Sequence, residues 1–168
     1  MAKETEAAFE TLERFVTTVR AGRALLNYPP GKLLSLYGAA KDGETFETLH
    51  RLRPHIEHLA RGTVNVSPPD VWPSTDVLQL VEQGITVGLV VDRDVDMQKI
   101  LERITRQQKE GVTETNRLTA KLNSAEFTAK APPEIVAEHR RRLQSLQEQQ
   151  NMLTSSEAQL LQMMRSRP

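Results

Sequence analysis

The longest unbroken pattern in the sequence lies in residues 97–123, MQKILERITRQQKEGVTETNRLTAKLN. Apolar, small and amide side chains recur there in alternating steps of four and three, which is the heptad seam of a coiled coil. After an interruption at 124–133 the same rhythm resumes. Two long helices are therefore predicted, with seam positions Met97, Leu101, Ile104, Gln108, Gly111, Thr115, Leu118 and Leu122 in the first, and Val136, His139, Leu143, Leu146, Gln150, Leu153, Glu157, Leu160 and Met164 in the second.

Two long helices joined by a short connection are expected to fold back on each other as an antiparallel pair. Opposed residues in such a pair share a constant sum of residue numbers. One common sum places Leu122 opposite Val136, Thr115 opposite Leu143, and Gln108 opposite Gln150. The two amides can hydrogen-bond to each other, and a slip in register would set each against an apolar layer at a cost of roughly 1 to 3 kcal/mol. At about 1.5 Å per residue, residues 96–123 predict an arm roughly 40 Å long.

The first half of the chain has the mixed pattern of a small α+β unit of about 90 residues that ends near Asp92. The apolar face of its first helix includes Phe9, Phe15 and Val19. The expected elements are a helix over 3–27, a strand over 32–37, a helix capped by Asp42 or Thr45 and kinked or broken at Pro54, a strand over 63–66, and a hairpin with strands over 77–81 and 85–91 that turns at Gly84. The predicted fold class is therefore α+β, a small α+β base followed by a long antiparallel two-helix coiled coil.

Composition excludes several classes of function. Lys and Arg total 22 and Asp and Glu total 22, so any nucleic-acid contact must come from a local basic face. The absence of cysteine excludes disulfides, thiolate metal sites and a thiol nucleophile. No stretch approaches the roughly 18 consecutive apolar residues of a membrane helix, and residues 1–20 lack the layout of a signal peptide. A cytoplasmic protein is expected.

The sequence offers no motif for catalysis, and we expect neither a catalytic residue, a metal nor a cofactor in this chain. His50, His55 and His58 lack the regular i, i+4 spacing with an acidic third ligand that would indicate zinc, and Pro54 disrupts their common helical face. They are interpreted as solvated surface residues. The glycines Gly31, Gly38 and Gly43 match no phosphate-binding spacing.

Basic residues concentrate on the predicted arm. Between residues 103 and 142 nine basic side chains stand against five glutamates. Such a face can follow a phosphate backbone, although basic residues also flank coiled-coil seams merely to keep them soluble and to pair with glutamate. An aromatic ring at the tip can stack on a base or plug the end of the seam. The candidate residues are Arg103, Arg106, Lys109, Arg117, Lys121, Phe127, Lys130, Arg140, Arg141 and Arg142.

The tip segment 123–140, NSAEFTAKAPPEIVAEHR, resembles the signature at the coiled-coil tip of valyl-tRNA synthetases. Two further segments resemble that family in the same order, the arginine-containing helix end before 27–32, NYPPGK, and the segment 88–92, GLVVD. The tip residues that match are Asn123, Phe127, Lys130, Ala131, Pro132, Val136, Glu138 and Arg140. The loop 68–74 around Trp72 has no counterpart in this resemblance.

The resemblance implies a function and a domain organisation. Residues 1–27 would be the closing helix of an anticodon-binding-like helical domain, 28–91 the small α+β base, and 92–168 the antiparallel coiled-coil arm with its tip at 124–134. The arm would contact the corner of a valine-specific tRNA through the candidate residues above. The parent enzyme would attach valine to tRNA with ATP, and its catalytic domains would lie upstream of this non-catalytic segment.

Two alternatives remain open at this point. One is a stand-alone, non-catalytic paralogue of the synthetase that binds tRNA or the synthetase in trans. The other is a protein-interaction coiled coil without RNA, which docks a partner helix along its seam. An intramolecular arm is expected to be monomeric, whereas an interaction coil often pairs.

Overall fold

The computed structural model describes residues 1–167 and has an α+β fold with a four-stranded mixed sheet, which confirms the α+β part of the predicted fold class. The chain divides into two compact units, called here the base unit (Met1–Ile100 together with the chain from Gln159 onward) and the helical unit (Leu101–Ala158). The elements are α1 Ala2–Leu25, β1 Leu34–Ala40, α2 Gly43–Ala60, β2 Gly62–Val66, a 3-10 turn at Pro69–Val71, β3 Val77–Glu82, β4 Ile85–Val90, α3 Met97–Asn123, α4 Ala125–Lys130 and α5 Pro133–Ser166.

The sheet has the strand order β2-β1-β4-β3. β1 and β2 are parallel and are connected by α2, whereas β4 pairs antiparallel with both β1 and β3. The predicted hairpin is confirmed, and its turn residues Gln83 and Gly84 both have positive φ, at 45° and 84°. That geometry matches the right-handed twist of the flanking strands.

Helix α1 packs closely on one face of the sheet. Phe15 and Val19 are fully buried, and a Cβ added at Gly22 would lie 2.8 Å from both methyl carbons of Leu89. The helix therefore approaches β4 at a point where a larger side chain does not fit. Phe9 does not belong to the buried face as predicted, because it lies in the N-terminal half of α1 and is 63% exposed.

The loop around Trp72 covers the opposite face of the sheet. The indole packs with Ala39 and Val77, and its ring centroid lies 5.4 Å from that of Tyr37. The indole nitrogen donates hydrogen bonds to the carbonyl and hydroxyl oxygens of Ser67, at 3.0 and 3.1 Å. This loop thus gives the sheet a second buried side.

Both edge strands are blocked by a side chain from a helix. On β2, the Val64 amide donates to the Glu57 carboxylate at 2.9 Å. On β3, the Gln159 amide pairs with both backbone groups of Gln79, accepting at 2.7 Å and donating at 2.8 Å. Exposed strand edges are templates for pairing with other chains, so these contacts protect the sheet.

Two sequence expectations in the base unit were wrong in detail. The first strand covers Leu34–Ala40 rather than 32–37, because the Lys32 carbonyl is held by the Arg23 side chain and cannot join the sheet. Helix α2 runs through Pro54 as one helix, with Asp42 as its cap at 2.8 Å from the Thr45 amide nitrogen. Pro54 is exposed, so its ring lies away from the sheet and the helix continues on the packed side.

In the helical unit, the seam residues predicted from the heptads are the less exposed ones. Four of these seam residues are buried, Ile104, Leu118, Leu146 and Leu153. The other seam residues of the helical unit are half-buried. The interruption at 124–133 contains the short helix α4. The predicted seam position Met164 was wrong. This residue is 38% exposed, whereas the neighbouring Met163, in the part of α5 that belongs to the base unit, is buried at 6% exposure.

Candidate nucleic-acid interface

The basic side chains of α3 lie mainly in solvent. Arg106, Lys109, Arg117 and Lys121 are exposed and form no ion pair with any residue from 1 to 167. Arg103 is half-buried. Long cationic side chains without a carboxylate partner retain their full charge for an external anion.

The three consecutive arginines of α5 divide into two groups. Arg140 and Arg141 are exposed and have no carboxylate partner in the described chain. Arg142 donates two hydrogen bonds to the Glu114 carboxylate, both at 3.1 Å. This bidentate contact holds the pKa of Glu114 below its usual value and raises that of Arg142. Arg142 thus ties α5 to α3, whereas its two neighbours are available.

The tip carries an aromatic cluster. Ser124 caps α4 by accepting from the Phe127 amide at 3.4 Å. The Phe127 ring is half-buried, with its centroid 5.4 Å from that of His139 and 5.9 Å from the Lys121 ammonium. Lys130 is exposed and pairs with Glu126 at 2.8 Å. Phe127 therefore packs against the seam residue His139, and stacking of the ring on RNA stays a prediction.

The two seam glutamines meet, but through a different bond from the one expected. The Gln150 side chain donates to the backbone carbonyl of Gln108 at 2.9 Å rather than to its amide side chain. A Cβ added at Gly111 would lie 2.6 Å from the Gln150 Nε2 atom. The glycine leaves the backbone of α3 open to the incoming amide, which explains the choice of acceptor.

Sequence reasoning missed a network in the base unit, centred on Arg23. This side chain is 8% exposed and donates to the carbonyl oxygens of Pro29 and Lys32, at 2.9 and 2.7 Å, and to those of Ala60 and Arg61, at 2.7 and 3.3 Å. Burial, and secondarily the charge of Arg61, lowers the pKa of Arg23. One guanidinium at the end of α1 thus binds the loop that follows this helix and the end of α2.

The adjacent loop is anchored to the end of β4. The Tyr28 hydroxyl accepts from the Asp92 amide at 2.8 Å, and the Lys32 ammonium pairs with the Asp92 carboxylate and lies 4.6 Å from the centre of the Tyr28 ring. Burial raises the pKa of Tyr28, and the hydrogen bond to Asp92 raises that of Lys32. The segments 27–32 and 88–92, each singled out separately in the sequence, therefore meet in space.

The end of α5 is fixed to the base unit by Arg167. Its guanidinium donates to the Asp76 carboxylate at 2.9 and 3.1 Å and to the carbonyl oxygens of Val91 and Asp92 at 3.1 and 3.3 Å. Asp76 has a positive φ of 60°, which aspartate tolerates better than most residues. No residue pattern in the sequence indicated this contact.

The structure contains no group of three or more His, Asp or Glu side chains arranged to hold a metal ion within residues 1–167. His50, His55 and His58 are exposed on α2. Across the same residues, no helix is both long and apolar enough to cross a membrane.

Comparison with known proteins defines the class of the helical segment. Residues 96–161 match a protein family described as the valyl tRNA synthetase tRNA binding arm. The match covers all of α3 and α4 and most of α5, and it includes every candidate residue above.

Relatives extend the similarity to the base unit. The chain is 29% identical to the valine–tRNA ligase of Granulibacter bethesdensis over 136 residues (81% of this chain, 15% of the relative) and 29% identical to that of Carboxydothermus hydrogenoformans over 150 residues (89% and 17%). It is 24% identical to that of Geobacillus kaustophilus over 158 residues (94% and 18%). The chain belongs to the valyl-tRNA synthetase family, as a C-terminal region. It spans less than one fifth of the length of these relatives.

Proposed function

We propose that this chain is the tRNA-binding C-terminal segment of a valyl-tRNA synthetase, and that it supports ATP-dependent valylation by catalytic domains upstream in the same enzyme. The observation that carries the proposal is the match of residues 96–161 to the tRNA binding arm family. The segment itself takes no part in catalysis in this proposal and uses no cofactor. The alternative of a protein-interaction coil is not favoured, because the matched family is described as binding tRNA.

In this proposal α3 and α5 form an antiparallel two-helix coiled coil. Two contacts between α3 and α5 and one between α4 and α5 support that arrangement, since higher residue numbers on α3 and α4 pair with lower numbers on α5. They join Gln108 to Gln150, Glu114 to Arg142, and Phe127 at the tip to His139. A Glu–Arg pair beside the seam is the kind of contact that sets the alignment of such helices.

The proposed contacts with tRNA are electrostatic and lie on the arm. Exposed arginines and lysines would bind phosphates along the RNA backbone, and each contact would release counterions and make binding depend on salt. The strongest candidates are those that form no ion pair within the described residues, Arg106, Lys109, Arg117, Lys121, Arg140 and Arg141. Phe127 would add a stacking contact.

The proposed domain organisation is a closing helix of an anticodon-binding domain over 1–27, a base over 28–91 and the arm over 92–168. We also propose that the chain is monomeric and acts in the cytoplasm. An antiparallel pairing within one chain supports the first statement, because it satisfies the apolar seam without a second copy.

The experiment is a titration of the purified chain with valine-specific tRNA at several salt concentrations. Binding should weaken steeply with salt, and Arg140→Gln with Arg141→Gln should reduce the salt slope by about 2, at roughly one unit per lost phosphate contact. Arg165→Gln is the matched control, since Arg165 is exposed on the same helix but lies in the base unit. Undetectable binding of the unaltered chain at low salt would contradict the proposal.

A further inference from the structure

A second basic site lies in the base unit and shares no residue with the candidate residues of the arm. Where α1 and α2 end, a groove of about 590 Å³ opens between them. Three arginines and a histidine line it, and none of its nine lining residues is acidic. The cationic residues are Arg20, Arg23, His58 and Arg61.

The arginines of the groove differ in how far their guanidinium groups are used within the fold. Arg23 is buried and committed to backbone carbonyls. The ends of two helices would otherwise present partial negative charge here, and Arg23 offsets it. Arg20 is exposed and its side chain forms no hydrogen bond or ion pair within residues 1–167, and Arg61 is exposed with a single long bond to the Pro30 carbonyl at 3.3 Å. Two guanidinium groups thus remain for an external anion.

The rest of the wall is apolar. Leu59 is 46% exposed at the groove, and Pro30 and the Tyr28 ring lie beside it. Tyr28 keeps its hydroxyl on the backbone of β4 and presents no free donor of its own. Cationic groups next to an apolar wall suit a phosphate that carries a sugar better than a free inorganic ion.

We propose that this groove binds the phosphodiester backbone of RNA, with Arg20 and Arg61 on the phosphate and Leu59 and Pro30 against the ribose. The inference rests on the proposed function, because it supplies a second contact to the same tRNA. Neither the tip signature nor the family match at 96–161 includes these residues.

The test uses the full chain and valine-specific tRNA. The double variant Arg20→Gln, Arg61→Gln should reduce the slope of log affinity against log salt concentration by about 2. This reduction should add to the one caused by the substitution of Arg140 and Arg141. Arg14→Gln, on α1 but outside the groove, is the matched control and should leave the slope unchanged. Arg20→Gln alone, which removes no hydrogen bond of the fold, should reduce it by about 1 and guards against misfolding of the double variant.

The outcomes separate this inference from the proposed function. If the unaltered chain binds tRNA but the groove variants keep its salt slope, the groove inference is wrong and the proposed function stands. A titration with inorganic phosphate, followed by NMR of the arginine side chains, distinguishes the source of the anion. Saturable shifts of Arg20 and Arg61 with phosphate, together with an unchanged tRNA slope, would make the groove a small-anion site and overturn the RNA assignment.

Discussion

Substitution of Arg23 by Met should destabilise the base unit more than any exposed substitution in the chain. The side chain donates four hydrogen bonds to carbonyls. A hydrogen bond from a charged donor contributes about 1.5 to 3 kcal/mol when the acceptor cannot turn to water. The Ala60 carbonyl is such an acceptor, because that residue is 2% exposed. The carbonyls of Pro29 and Lys32 lie nearer the surface, where water can replace part of the loss.

The substitution also relieves the cost of burying a guanidinium, which reduces the net effect. Replacement of a buried ion pair by apolar residues is often neutral because both charges leave together. Here the carbonyls stay behind without a donor, so that relief is partial. We expect Arg23→Met to lower the free energy of unfolding by about 3 kcal/mol.

Urea unfolding followed by Trp72 fluorescence measures this loss. Trp72 is the single tryptophan of the chain and is buried in the base unit, so its signal reports that unit alone. With a slope of about 2 kcal/mol per molar urea, the midpoint should fall by about 1.5 M. Arg23→Lys should recover less than half of the loss, because one ammonium lacks the planar fork that reaches both the loop after α1 and the end of α2. A loss below about 1 kcal/mol for Arg23→Met, or full recovery with Lys, would refute this account.

Three further outcomes are expected. Gly22→Ala should cost about 1 to 3 kcal/mol in the same unfolding assay, because its Cβ would overlap β4, whereas Gly43→Ala, with open space around it, should cost far less. Arg142→Gln should raise the pKa of Glu114 in an NMR titration, and an unchanged pKa would contradict the pairing. Because the pKa of Glu114 is depressed in the folded state, this pair stabilises the fold at pH values above the unfolded-state pKa of the glutamate. The stabilisation is lost as the pH falls through the folded-state pKa. Gln159→Leu should speed hydrogen exchange of the β3 amide that it accepts from, and unaltered protection would show that the edge is covered by other means.

Local patterns in the sequence predicted the elements whose geometry depends on neighbouring residues. The heptad rhythm located the less exposed face of α3 and α5, and the pair Gln83–Gly84 marked the hairpin turn. Asp42 or Thr45 was predicted to cap α2, and Asp42 is the cap. Each of these features depends on spacing or backbone preference within a few residues, which is information that a sequence displays directly.

Features that depend on distant partners were not predictable. Arg23 binds carbonyls, and a carbonyl acceptor leaves no trace in residue identity, so nothing in the sequence indicated where its guanidinium would go. The same reason hid the bond from Gln150 to the Gln108 backbone. Phe9 was assigned to a buried face by its spacing alone, but helical spacing does not show how far along a helix the packing reaches, and this residue is exposed.

The residues that carry the family resemblance perform two different physical tasks. In the base unit, Tyr28, Lys32 and Asp92 bind one another, and their charges and hydroxyl are used within the fold. In the helical unit, Arg140 ends its segment without a carboxylate partner in the described chain. A basic side chain that the fold already uses contributes little to an external anion, since binding would first have to break its internal contacts. Whether a residue already forms an ion pair or hydrogen bond within the fold, more than its position in the motif, therefore decides whether it is available to bind RNA.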